Sequence, residues 1–469
     1  MSTVRLFKHH FHTSFIWLGV SQWLLFILSV YLGLFFRFFA EDDPIGRYLE
    51  GQLVKAILFA FVGILCFSAM GLYRPRLREG ELGLLVRTIS AFGLIALVMS
   101  VLFYLLPGLL LWRGPLALSL AFAFLMTIIS RAVFNRIVDE DRLKRRVLVY
   151  GAGNRAQQVL NRLRRKSDRR SFRFVGFIHV PHEEDVVDRD RIVNIESGDF
   201  AAYAKTNDVD EILIAVDDRR RGLPVDDLLH CKLNGVDVLD VVNFFEREVG
   251  KIMLEFVTPG WMIFADGFSF GSWRDFTKRT FDLVASFLVI MMTWPLMLLV
   301  VIAIWIEDGF KAPVVYRQQR VGLDSKPFYL LKFRSMKVDA EKDGKAVWAA
   351  ENDNRITRVG HFIRACRLDE LPQLINVLAG EMGIVGPRPE RPEFVSVLEK
   401  EIPFYAARHQ VKPGIAGWAQ LCYPYGASVK DAEQKLQYDL YYVKNHSLFL
   451  DCLILLQTVE VVLMGEGVR

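Results

Sequence analysis

Two acidic residues stand side by side in Leu368-Asp369-Glu370-Leu371-Pro372-Gln373. Pro372 suits the first turn of a helix, where a missing N–H costs nothing, and Gly380 suits its end. A carboxylate at a helix start sits in a positive field and is expected to stay ionised. The same field attracts phosphate. Arginines crowd the segment, with Arg364 and Arg367 before it and Arg388 and Arg391 after it. A nucleophile, a metal ligand and phosphate-binding cations therefore converge within a short span. Taken alone, an Asp-Glu pair more often begins an ordinary surface helix with ion pairs. The segments around it change that judgement.

Those segments have to hold the pair beside a membrane. The chain of 469 residues is 52% hydrophobic with 36 Phe, and the apolar residues are clustered. This pattern points to a membrane protein with soluble parts. The net charge is +5, and the arginines gather beside apolar segments. That suits anionic lipid and phosphate and speaks against a nucleic-acid partner. The five cysteines form no CxxC pair and read as reduced thiols.

Four apolar segments, Phe15–Phe39, Leu53–Leu72, Ile89–Leu111 and Pro115–Phe134, are each close to the ~20 residues a span needs. The first is read as a spanning helix and not as a removed leader, since no small-residue cleavage site follows it. Basic residues flank both ends of the set: Arg5 and Lys8, then Arg74, Arg76, Arg78 and Arg87 in the middle, then Arg142, Lys144, Arg145 and Arg146. Glu41, Asp42 and Asp43 follow the first segment. Both ends of a four-helix bundle over residues 1–140 are thus expected on the cytoplasmic side. Arg37 and Arg131 lie near helix ends, where they can snorkel.

Residues 145–260 alternate strand and helix patterns. Arg146–Tyr150, Phe172–Val180, Glu211–Val216 and Val236–Val242 read as strands, and the first leads into Gly151-Ala152-Gly153-Asn154-Arg155-Ala156. A small Rossmann-like α/β domain is expected. The GxGxxA pattern is weak alone, although its strand–turn–helix context is right. The second strand ends in Ile178-His179-Val180-Pro181, without the acid that normally holds a ribose; Glu183 comes only after the proline. A structural or regulatory role is at least as well supported as dinucleotide binding.

The third part, residues 273–469, opens on Lys278-Arg279-Thr280-Phe281-Asp282 and an apolar run broken by Pro295. A crossing there would carry Asp369 to the far face, away from cytosolic nucleotides. Basic residues lie on both flanks, including Arg317 and Arg320. A re-entrant helix over about 280–306, bent at Pro295, satisfies both facts. The alternative is a fifth span with a proline kink. Leu448–Met464, interrupted by Asp451, Gln457 and Glu460, is expected at the interface or inside the soluble core.

Five motifs occur in order: Lys278 to Asp282, Lys332-Phe333-Arg334-Ser335-Met336, Leu368 to Gln373, Gly386-Pro387-Arg388-Pro389-Glu390, and Val411-Lys412-Pro413-Gly414-Ile415-Ala416-Gly417-Trp418-Ala419-Gln420. Through them the chain resembles the bacterial polyprenyl-phosphate glycosyl-1-phosphate transferases, the large monotopic phosphoglycosyltransferases of exopolysaccharide and capsule assembly. The helix-breaking pair of that family reads Ser-Pro, and Trp294-Pro295 stands here.

The resemblance implies transfer of a sugar-1-phosphate from a UDP-sugar to undecaprenyl phosphate, with release of UMP, at the cytoplasmic face of the bacterial inner membrane. It implies Asp369 as nucleophile, forming an aspartyl-phosphosugar intermediate, and Glu370 as the carboxylate associated with Mg²⁺. One carboxylate does not complete a magnesium site, so waters and diphosphate oxygens are expected as further ligands. Arg388, aimed by two prolines, is assigned to phosphate. Arg334 and Arg364 are further substrate-binding candidates. Lys278 and Arg279 are expected at headgroup depth, near the lipid phosphate. Tyr438, Tyr441 and Tyr442 offer rings to uracil, although core packing is their commoner use.

Two other readings compete. One is a membrane-bound NAD-dependent dehydratase or epimerase, disfavoured because no lysine has a tyrosine four residues before it. The other is a non-catalytic scaffold, which has no need of the ordered arginine and carboxylate set. The bundle and middle domain offer surfaces for a homodimer. No segment encodes which sugar is carried.

Overall fold

The apolar segments fold as long helices, and the alternating segments between them as a sheet. The computed structural model describes residues 3–6, 9–39, 51–73, 81–138, 144–164, 166–169, 171–181, 183–195, 199–218, 223–268, 271–310, 312–337, 355–423 and 428–464. The flanking charges at Lys8, 41–43, 74–78 and Arg142 lie outside these residues. The chain divides into two compact units, one over 10–248 and the other over 249–469.

After a short ribbon of β1 (Thr3–Leu6) and β2 (His9–His12), the first unit contains α1 (Thr13–Phe38), α2 (Leu53–Ala69), α3 (Glu81–Leu105) and α4 (Arg113–Val138). Three of these, over Ile16–Phe38, Gly83–Leu105 and Arg113–Phe134, are long and apolar enough to cross a membrane; α2 is a shorter apolar helix. Phe26 fills the bundle centre and meets Phe59, Phe67 and Phe92 edge-on. Gly63 makes room for it, since a Cβ there would come 2.6 Å from the Phe26 ring. The third helix ends at Leu105, short of the expected Leu111, because Pro107 has no N–H and pushes its predecessor out of the helical region. Arg131 does not snorkel: it is buried and donates to the Leu72 carbonyl, while Arg87 donates to Met70. Both thus serve the carbonyl end of α2.

The same unit continues into a five-stranded, all-parallel sheet of β3 (Arg145–Tyr150), β4 (Phe172–Ile178), β5 (Ile192–Val193), β6 (Glu211–Ile214) and β7 (Asp237–Asp240), in the order β5-β4-β3-β6-β7. This is the doubly wound order of a Rossmann-like sheet. Its helices are α5 (Asn154–Arg162), α6 (Phe200–Thr206), α7 (Val225–Leu233) and α8 (Val241–Val249).

The second unit starts at 249, so residues 249–260, expected with the middle domain, fall in it. Residues 249–260 belong to it because Trp418 donates to the Gly250 carbonyl, Ile252 N donates to the Gln437 carbonyl, and Lys251 lies over the Tyr438 ring. After α9 (Pro259–Phe264), α10 runs unbroken from Ser272 to Asp308 with Pro295 inside it. It is also long and apolar enough to cross a membrane. Its middle exposes Phe287, Met291, Met292 and Leu299, while Val300 and Ile304 pack against Phe333 and Ile363.

The rest comprises β8 (Val315–Val321) and β9 (Pro327–Phe333) as an antiparallel hairpin, α11 (Arg358–Ala365), α12 (Gln373–Ala379), β10 (Gly383–Val385), α13 (Pro392–Glu401), β11 (Gly414–Ala416), α14 (Trp418–Cys422), α15 (Val429–Asn445) and α16 (Leu448–Met464). The short strands β10 and β11 pair in parallel. Their close approach requires Gly414, where a Cβ would lie 2.0 Å from Gly386 N. Helix α16 buries Leu450, Asp451, Ile454 and Gln457 on one face and exposes Leu448, Cys452 and Val459.

Candidate active site

Asp369 and Glu370 lie in a 3-10 turn, Leu368–Glu370, immediately before α12. Pro372 is the residue preceding α12, and Gly380 closes it in the left-handed conformation, as its position suggested. Arg367 also takes a left-handed backbone, φ 58°, and turns the chain so that both carboxylates point inward. Asn376 laces α12 to β9: its Nδ2 donates to the Tyr329 carbonyl and its Oδ1 accepts from Leu331 N.

Three cations meet one oxygen of Glu370. Arg388 donates to Oε1 at 3.0 Å, Lys332 lies at 3.4 Å and Arg367 at 3.9 Å. Burial pushes the Glu370 carboxyl up, but Arg388, Lys332 and Arg367 outweigh it and hold it down at about 2. Asp369 goes the other way. Burial raises it above the ordinary carboxylate range, with Lys332, Arg364 and Arg388 opposing and Glu370 adding to the rise. Two neighbouring carboxylates are thus driven apart, the usual mark of divided chemical roles. The field of a helix start alone would have predicted two acids held low; burial decides otherwise for Asp369.

The loop Pro387-Arg388-Pro389 is pinned at each carbonyl. Gly414 N donates to Pro387, Arg408 to Arg388, and Arg320 to Pro389. Arg408 is itself fixed by Asp439 at 2.8 Å and by the Tyr405 hydroxyl at 2.7 Å, and both charged partners are buried. The side chain of Arg388 remains 41% exposed, so it faces both Glu370 and solvent.

Of the residues singled out from the sequence, Asp369, Glu370, Arg364 and Arg388 come together. Arg334 does not join them: its guanidinium is buried beside Asp308 at the end of α10. Lys278 is held by Asp282 at 2.8 Å and Asp451 at 2.9 Å. Arg279 donates to the carbonyls of Val377 and Leu378 at the end of α12. Lys278 therefore fastens α10 to α16, and Arg279 fastens it to the far end of α12. Tyr441 and Tyr442 are core residues, the latter donating to Val385 O and Asp451.

Lys332, Arg408 and Asp439 were not foreseen. The signal for Lys332 was present: Phe328, Leu330 and Lys332 share one face of an alternating strand whose first two members are buried. Asp439 likewise sits between Leu436 and Leu440 on a buried helix face, where a carboxylate needs a partner.

Arg388, Lys332 and Arg367 surround two carboxylates shifted in opposite directions, in a unit whose α10 is long and apolar enough to cross a membrane. The profile of the bacterial sugar transferase family matches residues 273–465, and that of a CoA-binding domain matches residues 68–222. A UDP-N-acetylgalactosamine-undecaprenyl-phosphate N-acetylgalactosaminephosphotransferase of Aeromonas hydrophila is 46% identical over 41% of this chain and 45% of its own length. The chain thus spans less than half of that relative. A UDP-glucose:undecaprenyl-phosphate glucose-1-phosphate transferase of Xanthomonas campestris pv. campestris is 30% identical over 85% of this chain and 84% of its own. A UDP-galactose-lipid carrier transferase of Erwinia amylovora is 30% identical over 82% of each. The chain belongs to the bacterial sugar transferase family.

Proposed function

We propose that the protein transfers a sugar-1-phosphate from a UDP-sugar to undecaprenyl phosphate and releases UMP. The observation that carries this reading is the turn Leu368–Glu370, where a carboxyl raised by burial stands beside one ringed by Arg388, Lys332 and Arg367. Two relatives' names give phosphosugar transfer to undecaprenyl phosphate and differ in the sugar, so kinship does not assign the donor sugar.

In this reading an oxygen of ionised Asp369 attacks the phosphorus that bears the sugar. The bond from that phosphorus to the bridging oxygen breaks, and UMP leaves with the electron pair. The product on the protein is an aspartyl-phosphosugar. An oxygen of the lipid phosphate then attacks the same phosphorus, the acyl-phosphate bond breaks, and Asp369 returns as a carboxylate. Arg388 and Lys332 hold the diphosphate and spread its charge.

Mg²⁺ is part of the same proposal, with Glu370 as its carboxylate. Among the described residues no group of three or more His, Cys, Asp or Glu side chains gathers to hold a metal. Glu370 would be the protein ligand to Mg²⁺, with water and diphosphate oxygens supplying the others. When bound there, Mg²⁺ would neutralise diphosphate charge.

The re-entrant arrangement of α10 belongs to the same proposal. A straight helix of 37 residues is about 55 Å long. Yet Arg279 near its start bonds to the end of α12, and Glu307 near its end accepts from Arg358 N and Val359 N at the start of α11. Both ends fastened to one unit support a helix that enters and leaves the membrane on the cytoplasmic side.

The test is UMP release by purified protein with Mg²⁺, undecaprenyl phosphate and a panel of UDP-sugars. One sugar is expected to react, and Asp369→Asn is expected to lower the rate by about a thousandfold or more. Normal turnover in that variant would remove Asp369 as the nucleophile.

A further inference from the structure

The middle sheet has the order and the glycine turn of a dinucleotide-binding domain, and ligands of such sheets bind beyond the strand ends at the point where strand order reverses. In this chain that point lies between β3 and β6. The turn Gly151-Ala152-Gly153 leads into α5, whose first N–H groups would face a phosphate.

Those N–H groups are already engaged. Asn154 N donates to Asp217 Oδ2 at 2.9 Å, and Arg155 N donates to Asp217 Oδ1 at 2.7 Å. The Asn154 side chain lies 3.4 Å from the same carboxylate. Asp217 follows β6, so it reaches across the reversal point from the neighbouring strand. Gly153 serves this contact, since a Cβ there would come 2.4 Å from Asp217 Oδ2. The glycine that lets a pyrophosphate approach the backbone elsewhere here lets in a side chain of the same protein.

Four further hydrogen bonds close the place. Glu183 Oε1 accepts from the backbone N–H of Asp217 at 2.8 Å and of Asp218 at 3.1 Å, which fixes the Asp217 loop and adds a second negative charge. The segment after β4 folds over the glycine turn, with Val186 N and Val187 N both donating to the Ala152 carbonyl. Val187 is buried. In a dinucleotide domain the acid after the second strand takes a ribose. Here Glu183, the acid past that strand, holds the plugging loop instead.

We infer that Asp217 is a built-in anion occupying the phosphate position of the middle domain, which folds around its own carboxylate and takes neither CoA nor a dinucleotide there. The residues present do not fit such a ligand, because a di- or pyrophosphate would have to displace one carboxylate and lie against another.

Hydrogen exchange on the full-length protein in detergent tests this directly. Exchange at residues 154 and 155 is followed with and without millimolar CoA or NAD. In the wild type no change is expected with either ligand; slowed exchange at these two positions would overturn the inference, whatever binds elsewhere on the chain. In Asp217→Ala their exchange is expected to rise about tenfold, the scale of losing one capping interaction at a helix start. Added inorganic phosphate is expected to slow it again. Unchanged exchange in that variant would also sink the idea, and the wild-type arm decides the matter even where the variant folds poorly.

Discussion

Under the proposed reaction Asp369 has to be ionised to attack phosphorus, and its surroundings resist that. Burial raises its carboxyl above the ordinary range. At a given acidic pH a smaller fraction is therefore charged, and the rate is expected to fall, as pH drops, at higher pH than for an exposed aspartate. Lys332 opposes the rise. Lys332→Met should accordingly move the midpoint of the acid limb of kcat/KM further up, a displacement that simple loss of folded protein would not cause. Arg408 works at one remove, through the Arg388 carbonyl it bonds and the buried Asp439 it neutralises. Burial lifts Asp439 to about 6 even with Arg408 opposing. Arg408→Ala leaves that acid buried without its cation, and thermal or denaturant unfolding is expected to show a loss of about 3–5 kcal/mol. The acid pair and Arg388 were legible because their motifs concentrate charge in few residues. The partners of Lys278, Arg279 and Arg334 within the chain were not legible, because the sequence shows their charge but not Asp282 and Asp451, two backbone carbonyls, and Asp308 beside them.

Among the elements, α10 carries the strongest prediction. Trp273 in its first turn and Phe310 just past its end are exposed. With native cysteines removed, Trp273→Cys and Phe310→Cys are expected to react with a membrane-impermeant thiol reagent from the same face of sealed vesicles. Reaction from opposite faces would make α10 a spanning helix and send the reading of Pro295 back to a simple kink. The strands β3, β4, β6 and β7 were legible from their apolar runs, each within a few residues. The two-residue strand β5 was not, since Ile192-Val193 is too short to carry a period. The pairing of β10 with β11 was hidden for another reason. It joins segments some thirty residues apart through glycines, and only the clash that a Cβ would make at Gly414 explains why glycine stands there.

For the whole molecule, the boundary at 249 matters more than the one expected near 260. A chain begun at Val249 keeps Gly250, Lys251 and Ile252 against Trp418, Tyr438 and Gln437. It is expected to release UMP, whereas one begun at Trp273 is expected to be less stable and less active, as measured by unfolding and by UMP release side by side. The membrane character and the sheet between apolar segments were readable at this scale because composition shifts are large there. The place where the second unit begins was not, because residues 249–260 differ little in composition from what precedes them. Arg279 ties α10 to one end of α12, and Asp369 lies just before the other end. Under the proposed arrangement the reactive carboxyl is thereby held at a single height above the hydrocarbon, like a bench of fixed level to which both reactants must come. The acceptor is then judged by how far its phosphate stands out of the bilayer, and isoprene units deeper in the membrane go unread.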